Sequence, residues 1–174
     1  SVSSLTWAAD GKGFYFMYDD RGNTRIGYHE LKSGKTAEVA KNVGGTSIGR
    51  PYGGGSYSIA NNGTIVYTSC TPYRPADVSK VVKGGKPAQL TDLNKDFLDY
   101  RNLGKVEEVW YRSSFDNREV QGWIITPPNF DPNKKYPLLV ENHGGPISNY
   151  GDRFSMELQL FAADGYVVFY PNPR

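Results

Sequence analysis

A repeated pattern of short apolar runs and glycine turns constrains the fold of the first part of the chain. Residues 7–16 (WAADGKGFYF) align with residues 58–67 (SIANNGTIVY), and two further candidate strands follow each of them. Asn62-Gly63 lies between two alternating runs, which is a strong hairpin signal. A period of about 50 residues made of short strands is typical of β-propeller blades. Residues 1–104 are therefore predicted to be the C-terminal blades of an all-β propeller that begins before them.

The remainder of the chain has a different pattern. Residues 106–112 and 120–127 predict a β-hairpin, and the mostly apolar residues 136–142 predict a third, central strand. Residues 166–170 (YVVFY) form a continuous apolar run, as in a buried parallel strand. With a helix before the last strand, this is the order in which an α/β-hydrolase sheet begins. We expect residues 105–174 to be the N-terminal part of such a catalytic domain, and we expect both domains to be incomplete.

One segment of this second part, residues 154–163, predicts a helix. Four apolar residues fall on one helical face: Phe154, Leu158, Phe161 and Ala162. Asp152 is expected to cap the start of the helix, and Gly165 stands where a C-terminal glycine belongs.

Charge and composition exclude several classes of partner and site. The net charge of +2 comes from scattered residues, so we predict no nucleic-acid partner. No apolar run approaches the roughly 20 residues that cross a bilayer, and no membrane partner is predicted. Cys70 is the single cysteine and reads as a buried structural thiol. His29 and His143 are far apart, so neither a metal site nor a cofactor is predicted. The compartment stays open between cytoplasm, periplasm and secretion.

The most informative motif is residues 141–146 (ENHGGP), which follow the predicted third strand. Acyl transfer needs hydrogen-bond donors aimed at the oxygen that becomes negative in the tetrahedral intermediate. Consecutive glycines let backbone N–H groups face a substrate without obstruction by side chains. His143-Gly144-Gly145 is therefore a candidate oxyanion turn, and a simple tight turn after a strand is the alternative.

Residues 135–146 (KYPLLVENHGGP) and 159–174 (QLFAADGYVVFYPNPR) together resemble the prolyl oligopeptidase family of serine peptidases. The match is closest to its acylaminoacyl-peptidase and dipeptidyl-aminopeptidase branches. The resemblance implies a serine peptidase that hydrolyses short peptides by acyl transfer. It also implies that the backbone N–H of Gly145 is one oxyanion-hole donor, with His143 and Gly144 completing the turn. His143 is not expected to be the catalytic base, because the family's base lies near the end of the full chain.

No serine of the chain has the sequence context of a nucleophile. Ser47 lies in a Gly-x-Ser-x-Gly match and Ser56 follows three glycines, but neither stands between a strand and a helix. Both also precede the oxyanion turn, the reverse of α/β-hydrolase order. We therefore expect the catalytic serine, aspartate and histidine to lie beyond Arg174, in the remainder of the same polypeptide. The chain is interpreted as an internal fragment that is inactive alone, and a homo-oligomer is possible.

Other interpretations remain open at this point. One is a carboxylesterase-like α/β-hydrolase, and another is a propeller binding module without activity. Acylaminoacyl, dipeptidyl and endo-oligopeptidase specificities are not distinguished. Arg50, Tyr52 and Arg74 are candidates to line a cavity between the two parts, with no reason to choose among them. Glu141-Asn142 is expected to be a hydrogen-bonded strand end, with the alternative that either residue points into the site, and Glu107-Glu108 is read as part of a solvated strand.

Overall fold

The computed structural model describes residues 2–145 and 148–172, and these residues form two β-sheets joined by short connections. Pro146 of the predicted turn lies outside the described residues. The first sheet contains β1 (Val2–Trp7), β2 (Gly13–Asp20), β3 (Asn23–Glu30), β4 (Thr36–Val43), β5 (Tyr57–Ile59), β6 (Thr64–Thr71), β7 (Arg74–Val82) and β8 (Ala88–Gln89). The second contains β9 (Lys105–Arg112), β10 (Glu119–Thr126), β11 (Leu138–Val140) and β12 (Val167–Pro171). Two helices are described, α1 (Lys95–Leu98) and α2 (Met156–Ala163).

The first sheet consists of two antiparallel units, β1–β4 and β5–β8. They join where Val43 pairs with Ser69 and where the Gly44 amide donates to the Thr68 carbonyl at 3.1 Å. The β5–β6 hairpin turns at Gly63, whose φ of +80° requires the freedom of a glycine. Alternate residues of β2 and β3 point into a shared core with Val39 of β4 and Ile65 of β6. The prediction of propeller blades followed by a hydrolase-like sheet is confirmed.

The second sheet has the strand order β11-β12-β10-β9. β9 and β10 form the predicted hairpin, and β12 pairs in parallel with β11 and antiparallel with β10. The strand predicted over residues 136–142 is shorter in the structure, where only Leu138–Val140 is a strand, and Leu138 is 62% exposed. Among the described strands it lies at the edge of the sheet, and its central position stays a prediction. An apolar run reports how its faces are covered, whereas the number of lateral neighbours depends on pairing elsewhere in the sheet.

Helix α2 packs on the second sheet through three residues of the predicted face, with Leu158 and Ala162 buried and Phe161 partly buried. Phe154 is buried as well, but it lies two residues before the helix begins. The prediction that Asp152 caps this helix is wrong. Ser155 is the N-cap, and its hydroxyl accepts from the Leu158 amide at 3.3 Å. Asp152 instead accepts from the Trp123 indole N–H at 2.7 Å, so its carboxylate is held by β10. Gly165 follows the helix with a φ of +93°, as predicted.

The two sheets meet where the β2–β3 turn touches β10 and the start of α2. The Gly22 carbonyl accepts from the Arg153 guanidinium at 3.1 Å and from the Asp152 amide at 3.2 Å. Arg153 is buried and also donates to the Thr24 hydroxyl, while the Gln121 side chain donates to the Arg21 carbonyl. The division of the chain at residues 104 and 105 stays a prediction, because these contacts cross it.

Candidate active site

The predicted oxyanion turn lies at the carboxyl end of β11, beside the carboxyl end of the parallel strand β12. In open α/β sheets this is the edge at which ligands bind. The Glu141 amide donates to the Phe169 carbonyl at 2.9 Å and extends the ladder by one step. After Glu141 the backbone leaves the sheet.

The two glycines of the turn keep their backbone N–H groups accessible. Gly145 has a φ of +134°, a conformation that favours glycine, and both Gly144 and Gly145 are exposed. A Cβ placed on Gly144 meets no atom within 4 Å. Within residues 2–145 and 148–172, neither glycine amide donates a hydrogen bond to the rest of the protein. The turn can therefore offer N–H groups to a bound oxygen atom.

The His143 ring is held by aromatic side chains. It meets the buried Tyr150 ring edge-on at 4.9 Å between centroids, and Tyr52 lies 6.4 Å away. Tyr150 in turn contacts Tyr170, which stacks on Trp123. His143 Nδ1 is 3.1 Å from the Gly144 carbonyl oxygen, a contact that suits an Nδ1–H donor. These contacts give His143 a packing role that fixes the start of the turn.

Charged groups secure the strand end just before the turn. Arg50 pairs with Glu141 and, through Nε at 3.1 Å, with Glu157. The Tyr150 hydroxyl donates to the same Glu141 carboxylate at 3.2 Å. Hydrogen bonding to Glu157 and the charge of Glu141 raise the pKa of Arg50 despite the opposing effect of burial. Burial raises the pKa of Tyr150, and the neighbouring Tyr52 adds to that rise. The prediction of a hydrogen-bonded strand end is confirmed for Glu141.

Arg50 and Tyr52 reach the turn on residues 44–55, which we call the interblade loop because it joins β4 to β5. The ends of the loop touch, since a Cβ on Gly55 would lie 2.8 Å from the Gly44 nitrogen. Tyr52 forms an antiparallel bridge with Tyr150, and the Gly53 amide donates to the Asn149 carbonyl at 3.2 Å. A loop of the first sheet therefore lies against the chain that follows the oxyanion turn.

The interblade loop also covers the N-terminus of α2. The Met156 amide donates to the Ile48 carbonyl at 2.7 Å, and the Glu157 amide donates to the Gly49 carbonyl at 3.3 Å. The Ser155 hydroxyl donates to the same Gly49 carbonyl at 2.6 Å. The free amides that open a helix are thus already satisfied by the protein. This helix end offers no anion-binding site.

Other residues singled out in the sequence lie away from the turn. Arg74 pairs with Asp99, and both line a pocket that neither Arg50 nor Tyr52 lines. Ser47 is exposed in the interblade loop and Ser56 stands just before β5, so neither occupies a strand-to-helix elbow. His29 contacts Thr36 and Phe14, as expected for a packing residue.

Cys70 and the acidic pair of β9 also behave as predicted. Cys70 is buried, and burial raises the pKa of its thiol to about 11. Glu107 pairs with Lys105, and Glu108 accepts from the Trp110 indole. Both glutamates are exposed on β9, which fits a solvated strand.

Two residues that support the site were missed by sequence reasoning. Tyr150 links His143, Tyr52 and Glu141, and Asn172 holds the Tyr150 backbone with bonds to its amide (2.7 Å) and carbonyl (3.1 Å). Neither belongs to a periodic run, and each acts through contacts distant in sequence. No local signal marks them.

Metal chemistry and membrane insertion were checked over the described residues. Nowhere in residues 2–145 and 148–172 do three or more His, Cys, Asp or Glu side chains come together as metal ligands. The helices α1 and α2 are both too short to cross a membrane, and the described part of the chain holds no longer one.

Comparison with known proteins places these features in context. No family model matches the chain. A Bacillus subtilis (strain 168) protein named uncharacterized peptidase YuxL is 31% identical over 169 residues, which is 97% of this chain and 24% of that protein. Dipeptidyl-peptidase 5 of Porphyromonas gingivalis is 29% identical over 175 residues, 99% of this chain and 24% of that protein.

A solved structure gives the same result. An acylaminoacyl peptidase in complex with Z-Gly-Gly-Phe-chloromethyl ketone superposes with a TM-score of 0.80 and 26% identity. The match covers 100% of this chain and 25% of that structure. The chain therefore spans about a quarter of the length of the proteins it matches. Over the residues it contains, with its paired blades, its hydrolase-like sheet and its His-Gly-Gly turn, the chain is similar to prolyl oligopeptidase-family peptidases.

Proposed function

We propose that the complete protein is a serine-type peptidase that hydrolyses peptides by acyl transfer, and that this chain supplies part of its oxyanion hole. The observation that carries the proposal is the turn after β11. Its glycine amides are open, Gly145 has a φ of +134°, and it lies at the carboxyl edge of the second sheet. The similarity to proteins named peptidases supports the same conclusion.

The chemistry follows from the position of the Gly145 amide. When a nucleophile attacks the scissile carbonyl, its oxygen becomes negative and attracts preorganised N–H donors. In this proposal the Gly145 N–H is one donor, and the residue after the nucleophile supplies the second, as the resemblance to the family implies. Loss of one such donor typically lowers kcat by about 10²–10³-fold. The serine, aspartate and histidine belong to residues outside these 174.

The substrate class is proposed from the relatives. Their names include a dipeptidyl-peptidase, and the solved acylaminoacyl peptidase holds a blocked peptide chloromethyl ketone. Short peptides are therefore the proposed substrates, with free or blocked N-termini.

The test compares the complete protein with the 174-residue chain. Each is given dipeptide and blocked-peptide amidomethylcoumarins, simple esters, and a fluorophosphonate probe that labels activated serines. We expect the complete protein to cleave the amides and to be labelled, and the chain alone to do neither. A complete protein that cleaves esters but no peptide amide would favour the carboxylesterase alternative. A complete protein inert to every reagent, or peptide cleavage by the chain alone, would refute the proposal.

A further inference from the structure

We propose that Arg50 is a positioning residue for the oxyanion turn: through Glu141, the interblade loop fixes where the Gly145 amide stands. The inference rests on the proposed function. In this proposal a loop of the first sheet contributes to a site whose glycine amides follow a strand of the second sheet.

Arg50 lies between two carboxylates that belong to different elements. Glu141 ends the ladder of β11, and Glu157 lies in the first turn of α2. The guanidinium is a planar fork of donors, which suits it to hold two carboxylates in fixed directions. The Glu141 side chain is 17% exposed and the Arg50 side chain 37%, so the pair is partly shielded from water. Partly buried ion pairs lose less of their attraction to screening by salt than exposed ones do.

The turn has few other supports. After the Glu141 amide bonds to Phe169, no further backbone bond joins the turn to the described sheet. Its remaining supports are the Glu141 carboxylate and the His143 ring. Arg50 pairs with the Glu141 carboxylate, and Tyr52 lies beside the His143 ring, so both supports contact the interblade loop. Tyr150 completes the arrangement by contacting both.

The loop itself is well anchored. Its glycine ends touch at Gly44 and Gly55, its carbonyls at Ile48 and Gly49 accept from α2, and Tyr52 bridges to Tyr150. It cannot shift without breaking these contacts, so Arg50 is a fixed reference for the strand end. This is the property that a positioning residue needs, since a misplacement of about 1 Å can cost about 10²-fold in rate.

The variant Arg50→Ala in the complete protein tests the proposal. It leaves the Glu141 carboxylate with the Tyr150 hydroxyl alone, and we expect the strand end to turn toward water. With a peptide amidomethylcoumarin as substrate, we expect kcat to fall about tenfold and KM to stay within about twofold. The asymmetry follows because the oxyanion turn acts on the transition state more than on the bound substrate.

Arg25→Ala is the matched control. Arg25 is 28% exposed in its side chain and, like Arg50, pairs with two carboxylates, Asp20 and Glu38, but all three residues lie on the first sheet. We expect its kcat to remain within about twofold of wild type. A double-mutant cycle with Glu141→Gln isolates the pair, and we expect the double variant to be no worse than the worse single variant. Wild-type kcat in Arg50→Ala, an equal loss in Arg25→Ala, or additive losses in the cycle would each overturn the proposal.

Hydrogen exchange gives a readout that does not depend on activity. We expect the Glu141 amide, which donates to the Phe169 carbonyl, to exchange about tenfold faster in Arg50→Ala than in wild type or Arg25→Ala. If the wild-type protein proves to have no peptidase activity, the proposed function fails, and exchange alone decides whether Arg50 positions the turn. Unchanged exchange there would refute it. If Arg50→Ala does not fold, the nearly isosteric Glu141→Gln takes its place, and wild-type kcat and exchange in that variant would count against the inference.

Discussion

The variant Gly22→Ala tests how the first sheet docks on the second. Gly22 lies in the β2–β3 turn with a φ of +72°, and its carbonyl accepts from the Asp152 amide. A Cβ at this position would lie 2.6 Å from the Trp123 ring, well inside van der Waals contact. We expect the methyl group to push the turn away from β10 and to weaken the bond to Asp152.

The size of the effect follows from what Trp123 can do in response. The indole is 1% exposed, its N–H donates to Asp152, and its ring stacks on Tyr170 at 5.5 Å. It has no free direction in which to retreat, so the clash should cost about 1–3 kcal/mol, as overpacking of a core does. The left-handed φ adds about 1–2 kcal/mol of strain for any L-residue. That strain is present whether or not the β2–β3 turn contacts β10, so it cancels in the comparison. Only the clash with Trp123 should weaken the contact.

Gly34→Ala is the control, because Gly34 has a similar φ of +66° and a Cβ there meets no atom within 4 Å. Hydrogen exchange of the Asp152 amide in the complete protein is the assay. A clash of 1–3 kcal/mol corresponds to about 5- to 150-fold faster exchange in Gly22→Ala. Gly34→Ala should leave that amide at the wild-type rate. Equal rates at Asp152 in both variants would show that the turn does not rest on Trp123.

Two further predictions concern a helix cap and a buried thiol. Ser155→Ala removes the hydroxyl that accepts from the Leu158 amide and donates to the Gly49 carbonyl. In urea denaturation the free energy of unfolding should therefore fall by about 1 kcal/mol. An unchanged midpoint would mean that the cap contributes nothing. Cys70 is buried, and burial raises the pKa of its thiol to about 11. At about pH 8 a disulfide reagent should therefore label the native protein slowly and the denatured protein at once. Rapid labelling of the native protein would contradict the burial of Cys70.

Elements with a local period could be predicted from the sequence. The β9–β10 hairpin and the apolar face of α2 show the spacing of the structure they form, and β12 is a continuous apolar run of the kind that a buried strand shows. The cap of α2 could not, because Asp152 and Ser155 are both good caps and three residues apart. The choice between them depends on the Trp123 indole, which takes Asp152, and on Gly49, which binds Ser155. Those partners lie far away in sequence.

The candidate site divides in the same way. The His143-Gly144-Gly145 turn could be predicted because glycines at a strand end have a meaning of their own. Its supports could not. Arg50 meets Glu141 across 91 residues of chain, and an arginine and a glutamate so far apart carry no pattern that pairs them. The sequence placed Arg50 and Arg74 on an equal footing as cavity residues, and only the fold separates them.

These contacts bear on the division of the chain at residues 104 and 105. The change of pattern there is clear in the sequence, yet the second sheet depends on the first for basic features. The opening amides of α2 are satisfied by Ile48 and Gly49, and the Arg153 guanidinium donates to Gly22. Separating the parts would exchange these hydrogen bonds for bonds to water, at a net cost of about 0.5–1.5 kcal/mol each. The pattern therefore marks a change of architecture, the division there stays a prediction, and the oxyanion turn is supported from both sides of it.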